Sequence, residues 1–189
     1  MKINEIFYSL QGEGYHTGKA AVFVRLSGCN LRCPFCDTDH TGGTDMTEED
    51  IVRSVTDFTS RHVVITGGEP SLQITDSLID KLHKAGCFVQ IETNGTMPLP
   101  EAIDWVTCSP KEGKAPVLRN VDELKIVMVN EDTDPAAYDH IHASHRFLQP
   151  CDHGDPAMNA ATMELTVDYI KHNPKWRLSL QTHKLINIP

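Results

Sequence analysis

Residues 28–36 read GCNLRCPFC and place three thiols, those of Cys29, Cys33 and Cys36, at spacings of four and three. Gly28 and Pro34 favour a loop in this stretch, so the backbone is able to wrap around a bound group. Thiolates are soft ligands that suit zinc or an iron–sulfur cluster. On a cubane, three protein thiolates leave one iron free to bind a further molecule.

The spacing of these thiols does not by itself choose between the two metals. His40 follows Cys36 by four positions and could complete a Cys₃His zinc site. The remaining cysteines, Cys87, Cys108 and Cys151, are scattered, and we interpret them as buried or incidental thiols. Crowding of the first three predicts metal binding in a reducing compartment rather than disulfides.

The bulk composition excludes several classes of protein. A length of 189 residues with 40% hydrophobic residues predicts one domain, 1–189, with a sizeable core. The net charge of −9 gives no support to a nucleic-acid surface. Residues 1–6 lack the apolar run of a signal peptide, and no stretch approaches the roughly 20 apolar residues of a membrane span. We therefore expect a cytoplasmic protein with neither nucleic acid nor membrane as a partner.

Hydrophobic runs and turn signals predict an α/β fold. Runs rich in Val, Ile and Phe predict strands at 21–26, 62–66, 88–92, 105–108, 124–129, 147–149 and 176–181. Helices are predicted after the cap Thr47, between Thr75 and Gly86, and from Ala157 to His172. Early alternation of strand and helix favours parallel strands, while a complete (β/α)₈ barrel needs about 250 residues. We expect a partial, open barrel of mainly parallel strands with few helices.

A second motif accompanies the cysteines. The run 62–66 leads into GGEP at 67–70, about one βα unit after the three-cysteine loop. Together the two motifs resemble the radical S-adenosylmethionine (SAM) superfamily, whose signature is a Cys-x₃-Cys-x₂-Cys loop after the first barrel strand. The resemblance implies a [4Fe–4S] cluster on Cys29, Cys33 and Cys36, with SAM on the free iron. Such enzymes leave the difficult chemistry to a 5′-deoxyadenosyl radical and must position one hydrogen atom before it.

Further matches resemble one family within this superfamily, the 7-carboxy-7-deazaguanine synthases of queuosine and deazapurine biosynthesis. They are LQGEG at 10–14, CDT at 36–38, ETNG at 92–95, SPK at 109–111, ELK at 123–125 and QTHK at 181–184, with the end at Pro189. No single match is diagnostic, but their order and spacing are specific and cover nearly the whole chain. The resemblance implies a carbon–nitrogen lyase that contracts 6-carboxy-5,6,7,8-tetrahydropterin to 7-carboxy-7-deazaguanine with loss of ammonia.

The resemblance also implies roles for individual residues. Those expected to bind the pterin substrate are Leu10, Gln11, Gly12, Glu13, Arg25, Thr66, His183 and Pro189. Those expected to contact SAM are Phe35, Cys36, Asp37, Gly68, Ser109, Pro110, Lys111, Gln149, Pro150, Cys151 and Asp152. Thr38 occupies the family's Mg²⁺ position, where a hydroxyl oxygen suits a hard cation. No residue is assigned a catalytic role of its own, because the substrate radical is generated by the cofactor.

From the residues alone, ordinary structural roles stay open for many of these positions. Arg25 could form a surface salt bridge, and 11–13 could be a simple glycine-containing turn. Thr38 could order the loop beside Asp37, and the prolines after Ser109 and Gln149 could end strands.

The resemblance implies partners as well. We expect a homodimer, which would cover the edges of an open barrel, and a reductant of the flavodoxin or ferredoxin type. Two other functions stay open. A radical activating enzyme acting on a protein would need a docking face and would not explain 11–13 or Pro189. A Cys₃His zinc-binding interaction module would depend on His40.

Overall fold

The computed structural model describes all 189 residues as one open sheet with helices on its outside. Its strands are β1 Lys2–Leu10, β2 Ala20–Leu26, β3 Thr44–Asp45, β4 His62–Gly67, β5 Phe88–Thr93, β6 Trp105–Cys108, β7 Asn120–Met128, β8 His142–Pro150 and β9 Arg177–Leu178. Its helices are α1 Glu48–Thr56, α2 Asp76–Lys84, α3 Pro156–His172 and α4 Thr182–Ile186, with 3₁₀ turns at Pro70–Leu72 and Pro135–Tyr138.

The sheet order is β3-β1-β2-β4-β5-β6-β7-β8-β9. All pairs from β2 through β9 are parallel, whereas β1 pairs with β2 and β3 antiparallel. The two edges, β3 and β9, are only two residues long, which limits pairing with other chains. The predicted α/β class and open, partial barrel are therefore confirmed.

Several predictions about elements were incomplete, and the short strand β3 was not predicted at all. The sequence reading missed β1, because its alternation is weak and charged residues fall on both faces. The cysteine loop therefore follows the second strand, not the first. The predicted strand 176–181 shrinks to β9, and the helix α4, missed by sequence, follows it. None of the helices combines the length and apolar character that crossing a membrane would require.

Caps and apolar spacing explain the first two helices. Thr47 accepts a hydrogen bond from the Asp50 amide, and α1 buries Ile51 and Val55. Thr75 caps α2 in the same way, accepting from the Leu78 amide. Both helices pack against β2, β4 and β5 in a cluster of fully buried aliphatic side chains. This packing fixes the strands that end at the cysteine loop and the glycine motif.

A second core supports the other half of the sheet. Leu124, Ile126, Leu148 and Trp176 form a buried cluster against which α3 packs with its partly buried face. The 3₁₀ turn at Pro135–Tyr138 is the only helical element between β6 and β8. The amino end of the barrel is closed by an aromatic floor, which we define as Tyr15, His16, His62, Phe88, Trp105 and His145.

Truncation of Ile65 should destabilise the barrel. Its side chain on β4 is fully buried in the first cluster, so Ile65→Ala leaves a cavity and should lower the free energy of unfolding by about 2–5 kcal/mol. Val117→Ala is the matched control, because Val117 is 52% exposed and should change it by less than about 0.5 kcal/mol. Urea unfolding measures both; equal losses would contradict the assignment of Ile65 to the core.

Candidate active site

A cavity of about 600 Å³ lies at the carboxyl ends of the parallel strands, where α/β folds bind their ligands. Nearly every residue that the sequence analysis singled out lines it. These are Leu10, Gln11, Gly12, Glu13, Arg25, Cys29, Cys33, Phe35, Cys36, Asp37, Thr38, Thr66, Gly68, Ser109, Lys111, Gln149, Pro150, Cys151, Asp152, His183 and Pro189. Pro110 is the exception, since it lines a smaller cavity of about 160 Å³ behind Phe35 and Lys111.

The cysteine loop presents all three thiols to this cavity. The backbone turns between Cys33 and Cys36, where the Cys36 amide donates to the Cys33 carbonyl at 3.2 Å. The Leu31 amide donates to the Cys29 sulfur at 3.4 Å. All six cysteines of the chain are free of disulfides. No group of three or more His, Cys, Asp and Glu side chains is arranged closely enough to hold a single metal ion. Three soft thiols that face one cavity fit an iron–sulfur cluster, in which each thiolate would bind a different iron.

The glycine motif packs directly against the cysteine loop. A side chain on Gly68 would put its Cβ 2.0 Å from the Gly28 carbonyl oxygen, so only glycine allows this approach. The Glu69 amide donates to the same carbonyl at 2.8 Å, and the Gly68 amide donates to Leu26 at 3.0 Å. The two sequence motifs are therefore halves of one backbone junction.

Glu69 is a structural residue of this junction rather than a cavity group. It is fully buried, and its carboxylate accepts from the Ser71 amide, the Thr93 hydroxyl and the Asn94 amide. Asn94 in turn donates to the Asn30 side chain at 2.9 Å. The ETNG segment thus links the glycine turn to the cysteine loop.

The same cavity is lined by a buried charge cluster. Lys125 on β7 donates to Glu13 at 2.6 Å and to Glu92 on β5 at 3.1 Å, and its side chain is 6% exposed. The Gln11 amide group donates to Glu92 at 3.2 Å, and that of Gln181 donates to Glu13 at 2.9 Å. We call Glu13, Glu92 and Lys125 the lysine cluster. It fixes Gln11 and Glu13, two of the predicted substrate residues, relative to the sheet.

The lysine cluster shifts the pKa values of its members. Burial raises the pKa of Glu13, but the charge and hydrogen bond of Lys125 outweigh it and lower that pKa to about 2. Burial is the main cause of the raised pKa of Glu92. The surrounding carboxylates raise the pKa of Lys125 although burial opposes them. Lys125 is therefore a permanent cation in this cluster.

Arg25 is held in a defined orientation on the open side of the cavity. Its Nε donates to Glu5 at 2.7 Å, and its guanidinium lies 5.6 Å from the Phe7 ring centroid. Thr66 is its in-register neighbour on β4. The salt bridge that the sequence analysis allowed for Arg25 does form, and its partner is Glu5. Arg25 and Glu5 nevertheless both line the cavity.

Lys111 approaches the cavity from β6. Its ammonium group donates to the backbone carbonyl of Ser109 at 2.7 Å and to the Ser109 hydroxyl at 2.6 Å. Burial is the main cause of its lowered pKa. The SPK segment therefore folds back on itself beside Cys33, with its positive charge near the thiols.

The C-terminal segment forms the last wall. The Thr182 amide and hydroxyl both donate to the Gly12 carbonyl at 2.9 Å, and a Cβ on Gly12 would lie 2.1 Å from His183 Nδ1. Ser9 donates to an oxygen of Pro189 at 2.7 Å. The segment therefore packs against the substrate-side turn 11–13.

Lys184 joins this segment to the other side of the cavity. Its ammonium group donates to Asp37 at 2.7 Å and to Asp152 at 2.8 Å. Asp37 follows the last cysteine of the loop, and Asp152 follows β8. The C-terminal segment thus contacts both the predicted substrate side and the predicted SAM side.

The sequence analysis assigned no role in the site to the remaining cavity residues. It did not single out Asn4, Glu5, Phe7, Phe23, Asp39 and Val127. It considered His40 only as a zinc ligand, and it quoted the others in motifs without giving them a role, namely Leu31, Gly67, Glu92, Thr93, Asn94, Lys125, Gln181 and Lys184. A usable signal was present for two of them. Glu92 and Lys125 are charged residues inside runs that otherwise read as buried strands, and such charges need a buried partner.

Comparisons with known proteins agree with this geometry. Residues 23–130 match the family model described as the Radical SAM superfamily. A 7-carboxy-7-deazaguanine synthase from Bacteroides thetaiotaomicron is 58% identical over 187 residues, covering 99% of this chain and 98% of that protein. The chain belongs to the 7-carboxy-7-deazaguanine synthase family. A synthase from Nitratidesulfovibrio vulgaris is 42% identical over 215 residues, covering 100% of this chain and 99% of that protein.

A solved structure is similar over almost the same range. The crystal structure of QueE from Escherichia coli gives a TM-score of 0.73 at 32% identity, covering 95% of this chain and 92% of that one. The synthase family is a family of radical SAM lyases, so the chain is an enzyme that uses a [4Fe–4S] cluster and SAM. This membership sets aside the zinc-binding module.

Acid should weaken the fold through Glu13. Its pKa of about 2 in the folded chain lies below the ordinary 4.5, so its contribution is present above pH 4.5 and is lost as pH falls toward 2. The difference in unfolding free energy between wild type and Glu13→Gln should shrink by about 2 kcal/mol from pH 6 to pH 3. Urea titrations measure it. Glu131→Gln, an exposed loop change, is the control, and a constant difference for Glu13→Gln would contradict the pairing with Lys125.

Proposed function

We propose that the chain contracts 6-carboxy-5,6,7,8-tetrahydropterin to 7-carboxy-7-deazaguanine with loss of ammonia, as part of queuosine biosynthesis. The observation that carries this proposal is a single cavity that is lined both by the three thiols and by the lysine cluster. Substrate and product differ by the elements of ammonia, so the net reaction requires no external oxidant. The relatives from Bacteroides thetaiotaomicron and Nitratidesulfovibrio vulgaris support the same reaction, because both are named 7-carboxy-7-deazaguanine synthase.

The cofactors would lie on the side of the cavity that carries Cys29, Cys33 and Cys36. When bound, the cluster on Cys29, Cys33 and Cys36 and its SAM supply a carbon-centred radical that removes one hydrogen atom. The chain orients SAM and excludes water around it. Gly68 leaves its backbone open at the glycine turn, while Phe35, Cys36 and Asp37 approach from the cysteine loop. The segments Ser109–Lys111 and Gln149–Asp152 close the far side.

The substrate would lie between Arg25 and the lysine cluster. A guanidinium held at Nε by Glu5 still has two nitrogens available for a bidentate grip on the substrate carboxylate. At the other end the pterin edge offers donors and acceptors like those of guanine. Gln11 and Glu13 supply an amide and a carboxylate for that edge, with the Gly12 backbone between them.

Four other residues complete this proposed substrate site. Leu10 and Thr66 lie beside the pterin, and His183 and the terminal carboxylate of Pro189 close the C-terminal wall. Their position in the cavity lining supports the assignment. Arg25 would orient the substrate for hydrogen abstraction, because its grip on the carboxylate would set which ring carbon faces the radical.

Thr38 is proposed as the protein ligand of Mg²⁺. Its side chain lines the cavity two residues after Cys36, and Asp37 and Asp39 flank it. A hard cation prefers such oxygen ligands and keeps several waters or substrate oxygens as well. The substrate would complete its shell, which would explain a metal requirement without a preformed protein cage.

Partners are also proposed. A homodimer is supported by the open sheet and by exposed apolar side chains on its rim, including Tyr8, Leu185 and Ile186. A flavodoxin or ferredoxin would deliver the electron, since Cys36 is exposed at the mouth of the cavity. A reducing cytoplasmic location suits six unpaired cysteines, and we propose that 1–189 works as a single domain.

Anaerobic reconstitution tests the reaction. Cluster-loaded protein given SAM, dithionite, Mg²⁺ and the carboxypterin should form the deazapurine, detected by mass spectrometry. Cys33→Ala should abolish both the cluster absorbance and the product, whereas Cys87→Ala, a buried thiol outside the cavity, should keep both. An intact cluster that gives no product under these conditions would refute the proposed substrate.

An extension after Pro189 should impair substrate binding. The C-terminal oxygen contacts Ser9 inside the cavity wall, so a peptide tag moves the carboxylate and adds bulk there. We expect KM for the carboxypterin to rise about tenfold or more while SAM affinity stays within about twofold. A tag before Met1 is the control, and unchanged kinetics with the C-terminal tag would remove Pro189 from the site.

A further inference from the structure

One buried carboxyl group has no part in the proposed site, and it lies directly beneath it. Glu123 on β7 is 1% exposed and does not line the cavity. Two residues further along the same strand face is Lys125, the cation of the lysine cluster. The barrel interior therefore has two charged layers, with Glu123 in the lower one.

The strand register defines that lower layer. Glu92 on β5 pairs with Thr107 on β6, Thr107 pairs with Glu123 on β7, and Glu123 pairs with His145 on β8. Two carboxyl groups thus share one buried row and are separated only by a threonine. Lys125 already contacts Glu92 and Glu13, so one ammonium faces three carboxyl groups.

Glu123 also holds the turn that carries the predicted substrate residues. Its Oε2 accepts a hydrogen bond from the Tyr15 amide at 2.9 Å. Above it Gly14 has a φ of +67°, and a Cβ there would lie 2.0 Å from Glu123 Oε1. The glycine and the carboxyl group fit together, and this contact sets the height of residues 11–13 above the sheet.

We propose that Glu123 is a positioning residue for the substrate turn and that it works as a neutral carboxylic acid. In that form it supports Tyr15 and Gly14 without adding a third negative charge to the lysine cluster. Ionised, it would compete with Glu13 and Glu92 for Lys125 and would disturb the contacts that hold residues 11–13 in place. This inference rests on the proposed function, because the ligand it serves is the deazapurine or its pterin precursor.

The charges around Glu123 agree with a neutral form. Those facing it are Glu92 from β5, Glu13 from the substrate turn, His145 from β8 and Lys125 from its own strand, while β6 contributes only Thr107. Burial, and after it the charge of Glu92, raises the pKa of Glu123 to about 7, although Lys125 opposes this. Glutamine reproduces the neutral acid in shape and keeps an acceptor for Tyr15.

Equilibrium binding of 7-carboxy-7-deazaguanine tests the role without any radical step. Cluster-loaded wild type should bind it well at pH 6 and more weakly above pH 7, as Glu123 ionises. Glu123→Gln should match wild type at pH 6 and bind about tenfold more tightly than wild type at pH 8.5. Glu123→Ala, which removes the acceptor for Tyr15, should bind more weakly at pH 6 as well. Glu164→Gln is the same change on an exposed face of α3, and its affinity should equal that of wild type at every pH. Any pH dependence that comes from titration of the ligand itself appears equally in this control and in Glu123→Gln.

Two results would overturn the role of Glu123. One is an alkaline loss of binding in Glu123→Gln equal to that of wild type, and the other is weakened binding by this variant at pH 6. Absence of binding by wild type and Glu164→Gln at every pH would instead refute the proposed function itself.

Thermal unfolding without ligand gives an independent readout. A folded pKa above the ordinary 4.5 means that the folded chain retains a proton that the unfolded chain loses. Wild type should therefore lose stability relative to Glu123→Gln as pH rises from 5 to 8, so the Tm difference should grow in favour of the variant. A Tm difference independent of pH would show that Glu123 is ionised throughout, and it would overturn the proposal even if ligand binding is intact.

Discussion

The close backbone contact between Gly68 and Gly28 is the constraint on which the cofactor side depends. Parallel pairing of β2 with β4 brings Leu26 opposite Gly67, so the loops leaving both strands start side by side. They stay together only because no side chain stands between them, and the Glu69 amide then bonds across the gap. The cysteine loop is long and has little regular structure of its own. Its shape comes from this junction and from Asn30, which bonds the ETNG segment.

The substrate side depends on a different kind of contact. In the folded chain the ammonium group of Lys125 binds two carboxylates in place of water. A buried ammonium group needs such partners, because burying an unpaired charge would destabilise the fold. Removing one partner is costly, because the other charges remain buried. The cavity therefore has one wall ordered by backbone packing and one ordered by charge. The C-terminal segment bridges them, since Gln181 bonds Glu13 and Lys184 bonds Asp37.

Local signals in the sequence were sufficient for the parallel half of the fold. The caps Thr47 and Thr75 and the apolar runs of β4 and β5 predict their elements because they act over a few residues. The strand β1 could not be predicted in this way, because its apolar alternation is weak and charged residues fall on both of its faces. The same limit applies to the site. The thiol and glycine motifs can be recognised from the spacing of their residues. The pairing of Glu13 with Lys125 spans more than a hundred residues and has no local signature. Resemblance to a family supplied most of the cavity residues. It matched Glu92 and Gln181 as well, but it gave no role to such residues, which hold others in place.

The contact between the first strand and the last residue has a consequence for biosynthesis. Ser9 and Pro189 are 180 positions apart in the chain, yet a hydrogen bond of 2.7 Å joins them. The central strands and their helices can fold as soon as they have been synthesised, whereas the wall that contains α4 also requires residues 181–189. A prematurely terminated chain would thus retain most of its core while lacking one side of its reaction chamber.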